Sequence, residues 1–336
     1  AKQQQKPFFL YFAHGAPHFP LKAPADVIAK YRGKYKAGWD KLRAARHTKQ
    51  LELGLVDPKW PLSPRPEEVA AWDSLSPEDQ DRFDHMMATY AAMLDCVDQS
   101  VGRMVAGLKE RGMLDDTLIL FLSDNGGNAE GGPRGITQGD EIGSANSHVF
   151  LGMSWATLNN TPFRRYKHFT HEGGISSPLI AHWPKGIPAE RHGKLEPQPA
   201  HLIDVMATAV DLSGATYPAT FAGHRILPME GISLRPAFAG TPLHRVKPIF
   251  WEHEGNRAVR SGPWKAVMKL KGEWELYNID EDRTEQHDLI GINKAVASLL
   301  IRQWNDWAAT SFVDPWTGPA RNNWGEEPRP GKKAKK

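Results

Sequence analysis

The 336-residue chain has a single cysteine, Cys96, so no disulfide can form within it. No apolar run approaches the ~20 residues of a membrane-spanning helix. Neither sign of charge dominates: Lys and Arg number 42 against 39 Asp and Glu, a net charge of +3. Four of the positive charges sit in the tail Lys332 to Lys336, which reads as a solvated extension. No basic stripe remains that would call for nucleic acid. Internal repeats and other low-complexity segments are absent as well. An initiator Met is lacking at Ala1, and a hydrophobic stretch begins by Pro7 with no signal-peptide pattern before it. The expectation is therefore the back part of a longer protein.

Hydrophobic content of 40% and charged content of 24% are ordinary for a globular protein of one large domain or two. Phe8 to Ala13 reads as a strand, followed by a polar loop from His14 to His18. Residues 21–75, rich in Lys, Arg, Pro and Trp, read as an irregular surface excursion. Ser76-Pro77-Glu78-Asp79 has the pattern of a helix start. Apolar residues at Met87, Tyr90, Leu94, Val97, Val101, Met104 and Leu108 carry the helix to about Arg111, with Gly112 as its stop. Cys96 lies off that stripe between Asp95 and Asp98 and reads as structural filler.

Thr117 to Leu122 and Ser177 to Trp183 read as buried strands, residues 126–160 as loops, and Leu202 to Leu212 as an amphipathic helix ending at Gly214. Strands alternating with helices predict an α/β fold, a mostly parallel sheet sandwiched by helices. After about residue 245 come four short strand candidates, 248–253, 257–261, 265–270 and 273–279, punctuated by glycines. They predict a small C-terminal antiparallel meander with a helix near 293–310 covering one face. Seven of the twelve tryptophans lie from Trp251 onward, as core for that subdomain rather than as an aromatic platform. The expected domains are 1–245, 246–325 and a basic tail, 326–336.

The chemistry gathers in three places. In LILFLSDNGG, at 118–127, an apolar run ends in Asp124 and Asn125, hard oxygen donors suited to Ca²⁺ or Mg²⁺. Ligands collect at the carboxyl ends of strands in open α/β sheets. Asn-Gly also favours a hairpin turn, but Asn128 to Pro133 form no return strand, so metal binding is preferred. Two ligands do not complete a Ca²⁺ site, so further oxygens must come from elsewhere. His18, stiffened by Pro17 and Pro20, is a candidate functional histidine, with His14 a weaker one. Lys167 lies among Arg164, Arg165, His168 and His171, interleaved with Phe163, Tyr166 and Phe169. A partly buried ammonium in such a run needs an anionic partner, and a sulfate or phosphate would serve.

These residues resemble the type I sulfatases, more closely the bacterial arylsulfatases, of the alkaline phosphatase superfamily. The resemblance is carried by PFFLYFAHGAPHFPL at 7–21, LILFLSDNGGNAEGG at 118–132, NNTPFRRYKHFTHEGGISSPLIAHWPKGI at 159–187 and HLIDVMATAVDLSG at 201–214. RAVRSGPWKAV at 257–267 and WELYNIDEDRTEQHDL at 274–289 look like the family's C-terminal subdomain. The resemblance implies a sulfuric ester hydrolase with Asp124 and Asn125 as two ligands of one Ca²⁺ ion. It implies that Lys167 binds the sulfate group and that His18 contacts sulfate and protonates the leaving oxygen. Lys167 and His18 are thus the catalytic candidates, and His171 joins them as a substrate-binding candidate. The substrate would be a small sulfate ester or a sulfated glycan, in the periplasm or outside the cell.

The sequence departs from the family at the nucleophile. No C/S-x-P-S-R motif, the source of the family's formylglycine, occurs here, and the family's adjacent Asp-Asp metal pair near the amino end, with its upstream Lys and His, is missing too. The nucleophile and remaining Ca²⁺ ligands are therefore expected outside this chain, and the chain alone is expected to be inactive. A phosphodiesterase or phosphonate monoester hydrolase of the same superfamily, or a non-catalytic remnant, are the alternatives.

Overall fold

A computed structural model describes residues 6–318. The basic tail expected at 326–336 lies outside the described residues. In chain order the elements begin with α1 (Ala25–Ala29), α2 (Gly38–Glu52), α3 (Pro77–Glu110) and β1 (Ile119–Leu122). They continue with β2 (Ile136–Gln138), β3 (His148–Phe150), α4 (Gly152–Asn159), α5 (Glu172–Ile175) and β4 (Leu179–His182). Then come α6 (Ile203–Ser213), β5 (Thr220–Phe221), β6 (His224–Arg225) and α7 (Arg235–Phe238). The C-terminal part holds β7 (Ile249–His253), β8 (Asn256–Ser261), β9 (Trp264–Met268), β10 (Trp274–Asn278) and α8 (Lys294–Thr310).

The elements fall into two compact units. One gathers the described residues up to Met104, Asn125–Ser177, and those from Phe250 onward. The other is Val105–Asp124 with Pro178–Ile249. The first unit is built on two apolar cores. In one, Trp39 of α2 meets Trp72, Phe83 and Trp155 edge-on, with ring centroids 4.8, 5.0 and 5.3 Å away. Met86 and Met87 of α3, Val149, Leu151 and Leu158 fill around them, and Tyr166 and Phe169 join the same cluster. In the other, Val259, Ala266 and Leu276 of the sheet pack under Ala297, Leu300, Trp304 and Ala308 of α8. That sheet runs in the order β10-β9-β8-β7. The expected C-terminal meander with its covering helix is present, and Trp274, Trp304 and Trp307 serve as core. Cys96 is a half-buried free thiol packed at the edge of a small cluster around Val27 and Ala92.

The helix from 77 begins as its sequence indicates: the Ser76 Oγ accepts from the Asp79 N–H at 3.2 Å. Gly112 follows it at φ +63°, in the left-handed region that favours glycine.

Several expectations are corrected. The mostly parallel sheet is not present among the described residues: β1–β4, β2–β3, β5–β6, β8–β9 and β9–β10 all pair antiparallel. An apolar run marks a candidate strand but carries no information about its direction. Phe8 to Ala13 forms no strand among the described residues, and Tyr11 is 83% exposed. High β-propensity does not make a strand without a partner for its backbone groups. The excursion at 21–75 contains the 15-residue helix α2. Its residues are good helix formers, but its buried stripe is thin, essentially Trp39 and Arg43, so periodicity gave little signal. Residues 148–158, expected as loop, are β3 and α4 at the centre of the first core.

In the second unit α6 ends at Gly214, φ +68°, as its sequence indicates. Its buried face is Asp204, Ala207 and Thr208, whereas Leu202 and Met206 of the expected stripe are exposed. Asp204 decides this orientation: it accepts from the N–H groups of His201 and Ile232 at 2.8 and 2.9 Å and pairs with Arg245.

A buried ion cluster ties the segment 164–172 to the C-terminal sheet within the first unit. The ammonium of Lys265 on β9, fully buried, donates to Glu172 Oε1 at 2.8 Å and Glu285 Oε1 at 2.9 Å. Glu285 also accepts the Glu172 N–H at 3.0 Å, and Arg283 reaches Glu172 Oε2 at 3.2 Å. Beside it, Glu275 accepts from Arg164, from the Tyr277 hydroxyl at 2.7 Å and from His171 Nε2 at 3.3 Å. Burial disfavours charge on Glu172, but Lys265 and Arg283 overcome it and hold its carboxyl well below the ordinary range. Burial pushes His171 below its ordinary value of 6.5.

Removing one partner of a buried ion cluster strands the others, at a cost of about 3–5 kcal/mol. Lys265→Met is therefore expected to lower unfolding free energy by that amount in denaturant titrations; a loss under ~1 kcal/mol would show the cluster to be idle. Acid should act through the same residues. His171 binds its proton more readily when unfolded, so its contribution is full above 6.5 and lost as pH falls below it. Glu172, depressed from 4.5, contributes fully above that value and less below it. The melting temperature is thus expected to fall between pH 7 and 4, most steeply at the acid end. A melting temperature that rises over this range would contradict the assignment.

Candidate functional site

The site residues are placed by loops that pack backbone on backbone. Gly126 donates its N–H to the Gly174 carbonyl at 2.9 Å. A Cβ on Gly126 would lie 1.8 Å from the Gly173 oxygen. The two glycine pairs of the sequence are therefore the two faces of one contact: only glycine lets these strands of loop meet. Next along, the Gly127 N–H donates to Asn160 Oδ1 at 2.8 Å, and the Gly127 carbonyl accepts the Lys167 N–H at 3.0 Å. Tyr166 and Phe169 are buried in the main core on either side of Lys167. The basic run is thus half-buried through its aromatics, as its sequence indicates.

So held, Lys167 extends its ammonium to His18 Nε2 at 3.0 Å and lies 3.6 Å from Glu130 Oε1. The structure brings the two principal candidates together across 149 residues of chain. The His18 tautomer follows from chemistry: Nδ1 is 2.9 Å from the Phe19 carbonyl, which can only accept, so Nδ1 carries the hydrogen. Nε2 is left with its lone pair toward the ammonium. Behind Lys167, Glu130 Oε1 accepts from His168 Nε2 at 3.0 Å. Burial disfavours the Glu130 charge, but this hydrogen bond and the Lys167 ammonium hold its carboxyl below the ordinary carboxylate range. His168 Nδ1 faces His253 Nε2 at 3.0 Å and Glu254 Oε2 at 3.2 Å. Desolvation, then the neighbouring His168, pushes His253 below the ordinary histidine value.

The other candidates stand apart from this pair. His171 is 1% exposed and engaged with Glu275, a position that presents no open edge to a ligand. His14 bonds the Ser100 hydroxyl at 3.2 Å. Asp124 is exposed, and Asn125 is half-buried with its Nδ2 donating to the Gly126 carbonyl at 2.8 Å. Each side chain carries oxygen atoms of the kind a hard cation takes.

Comparisons with known proteins identify the family of the chain. The family model described as Sulfatase matches residues 1–215, more than half of the chain. This chain belongs to the sulfatase family. An uncharacterized sulfatase of Schizosaccharomyces pombe is 32% identical over 336 residues, covering 93% of this chain and 59% of its own length. Arylsulfatase of Klebsiella aerogenes is 33% identical over 245 residues, covering 70% of this chain and 52% of its own. Among solved structures, Ps i-CgsB superposes with a TM-score of 0.59 at 27% identity, covering 91% of this chain and 51% of its own. The chain thus spans about half the length of the relatives it matches.

In this sulfatase-family chain, sequence reasoning did not single out Glu130, His253 and Glu254, and it counted His168 only as part of the basic run. Glu130 hides in a glycine-rich loop. His253 and Glu254 sit at the hairpin between β7 and β8, where period-two patterning reads as strand end. The available signal was Glu254-Gly255, a turn pair in which Glu254 takes φ +50°.

Because the backbone approach at Gly126 leaves no room, Gly126→Ala is expected to destabilise by about 1–3 kcal/mol, the usual cost of overpacking. It should also displace Lys167 through the Gly127 carbonyl. Chemical denaturation reads the first effect; an unchanged midpoint would show that the loops separate freely.

Proposed function

We propose that this chain carries the sulfate-binding half of a sulfuric ester hydrolase active centre. The observation that carries the reading is the contact of Lys167 with His18 at 3.0 Å, an ammonium and an imidazole aimed at one point. A sulfate group entering between them replaces that hydrogen bond. Lys167 then binds a sulfate oxygen, and charge-assisted bonding of this kind strengthens as the group loses its ester bond. His18 Nε2, freed from the ammonium, faces the leaving oxygen and delivers to it a proton taken up from solvent. The Phe19 carbonyl holds the ring in the tautomer and orientation this requires. Glu130 steadies Lys167 from behind.

In this reading Asp124 and Asn125 hold one Ca²⁺ ion, which supplies positive charge against the sulfate oxygens. Its other ligands, and a formylglycine nucleophile, come from sequence outside this chain. The absence of a C/S-x-P-S-R motif and the coverage of about half of each relative support that division. The similarity to an arylsulfatase favours sulfuryl over phosphoryl transfer. Ps i-CgsB has been solved with k-i-k-neocarrahexaose, which supports a saccharide-borne sulfate ester alongside aryl sulfates as the substrate class. No helix among the described residues is long and apolar enough to cross a membrane. A periplasmic or secreted location is the reading that the family resemblance favours.

Inorganic sulfate titrated calorimetrically into this chain is expected to bind, and Lys167→Ala to weaken it about tenfold or more, as loss of a charge-assisted hydrogen bond requires. In the longer protein that carries the nucleophile, the same substitution should lower kcat/KM for an aryl sulfate about 10²–10³-fold. Turnover of an aryl sulfate by this chain alone, undiminished by Lys167→Ala, would remove the proposal.

A further inference from the structure

His168 stands among a second histidine and two carboxylates. Its Nε2 is 3.0 Å from a Glu130 carboxylate oxygen, which can only accept, so Nε2 carries a hydrogen. In the neutral ring Nδ1 is then a bare lone pair. That atom faces His253 Nε2 at 3.0 Å and the Glu254 carboxylate at 3.2 Å. A hydrogen on His253 could answer the first contact. The second sets a carboxylate against a lone pair unless the ring is protonated or a metal ion lies between them.

The geometry suits a metal ion. One ligand atom from each of His168, His253 and Glu254 lies within 4.8 Å of the others. Ligands of one Zn²⁺ ion, each about 2.0–2.2 Å from it, stand roughly 3–3.5 Å apart, which the two spacings from His168 Nδ1, 3.0 and 3.2 Å, already meet. A carboxylate on the far nitrogen of a ligating histidine, here Glu130 on His168, is the usual support for such a ligand.

We propose that His168 Nδ1, His253 Nε2 and a Glu254 carboxylate oxygen form a binding site for a borderline divalent cation, Zn²⁺ in the first place. Two imidazoles and one carboxylate match the ligand set of three-ligand zinc sites. Ca²⁺ and Mg²⁺ prefer all-oxygen sets, so this site is distinct in kind from the one read at Asp124 and Asn125. His253 is exposed, which leaves the ion open to solvent or to an external ligand. Glu130 joins the site to Lys167, so occupancy by the ion bears on the charge beside the sulfate-binding ammonium. The inference does not depend on the sulfate reading.

The test is titration of the chelator-stripped chain with Zn²⁺ by calorimetry, and with Co²⁺ by visible absorption. The expected result is one equivalent bound, with d–d bands of a low-coordinate N/O site. His253→Ala and Glu254→Gln should each weaken binding at least about tenfold, and Glu130→Gln about 10–100-fold. Asp124→Ala should leave Zn²⁺ affinity unchanged, and His253→Ala, at an exposed position, should keep the parent melting curve without metal. Binding absent at micromolar Zn²⁺, or unaffected by His253→Ala, would overturn the proposal and leave His168 as an imidazolium bridging two carboxylates. Sulfate binding through Lys167, measured separately, keeps failure here distinct from failure of the sulfatase reading.

Discussion

Everything in the site depends on how the segment 164–174 is held, and the buried Lys265 ammonium anchors it at Glu172. Lys265 lies between Glu172 and Glu285 with no access to solvent. A charge so placed is tolerable only when every partner is in position. The cluster therefore specifies one docking of the segment on the C-terminal sheet and penalises all others. Glu275, with Arg164, Tyr277 and His171 around it, repeats the same device one step along. The residues that flank Lys167 are thus spent on position, which leaves Lys167 itself half-buried and in contact with His18.

Two further constraints refine this placement. Tyr166 and Phe169 anchor the backbone in the apolar core, while Arg165 and His168 take left-handed conformations between and beside them. That alternation turns Lys167 and His168 out of the core toward different partners. The glycine contact of Gly126 with Gly173 and Gly174 then brings the loop that begins at Asn125 against the same segment. Where side chains would keep two loops ~5 Å or more apart, backbone-on-backbone packing closes the gap.

Much of this was legible in the sequence, but unevenly. The helix from Pro77, the four strands of the C-terminal meander and the helix from Lys294 all carried strong periodicity and clear stops. Helix α2 was missed because one tryptophan does the packing that a full apolar stripe normally does. The core segment 148–158 was missed because small and polar residues dominate it, though Trp155 and Leu158 are buried. Phe8 to Ala13 had the composition of a strand, yet pairing is a property of two segments and cannot be read from one.

The sequence by itself determined the residue types of the chemistry: hard oxygens at Asp124 and Asn125, a basic run around Lys167, a stiffened His18, and the family to which their spacing belongs. Such features are local, and local chemistry survives in one dimension. Only the tertiary structure decided which of them meet. His18 and Lys167 are brought to hydrogen-bonding distance, whereas His171, four residues from Lys167, is buried against Glu275. Only folding brings Glu130, His253 and Glu254 to His168, because three separate loops converge there and no spacing rule links them. The physical reason is the same in each case: desolvation and close packing select partners by position in space, and the chain order records that position only within a few residues.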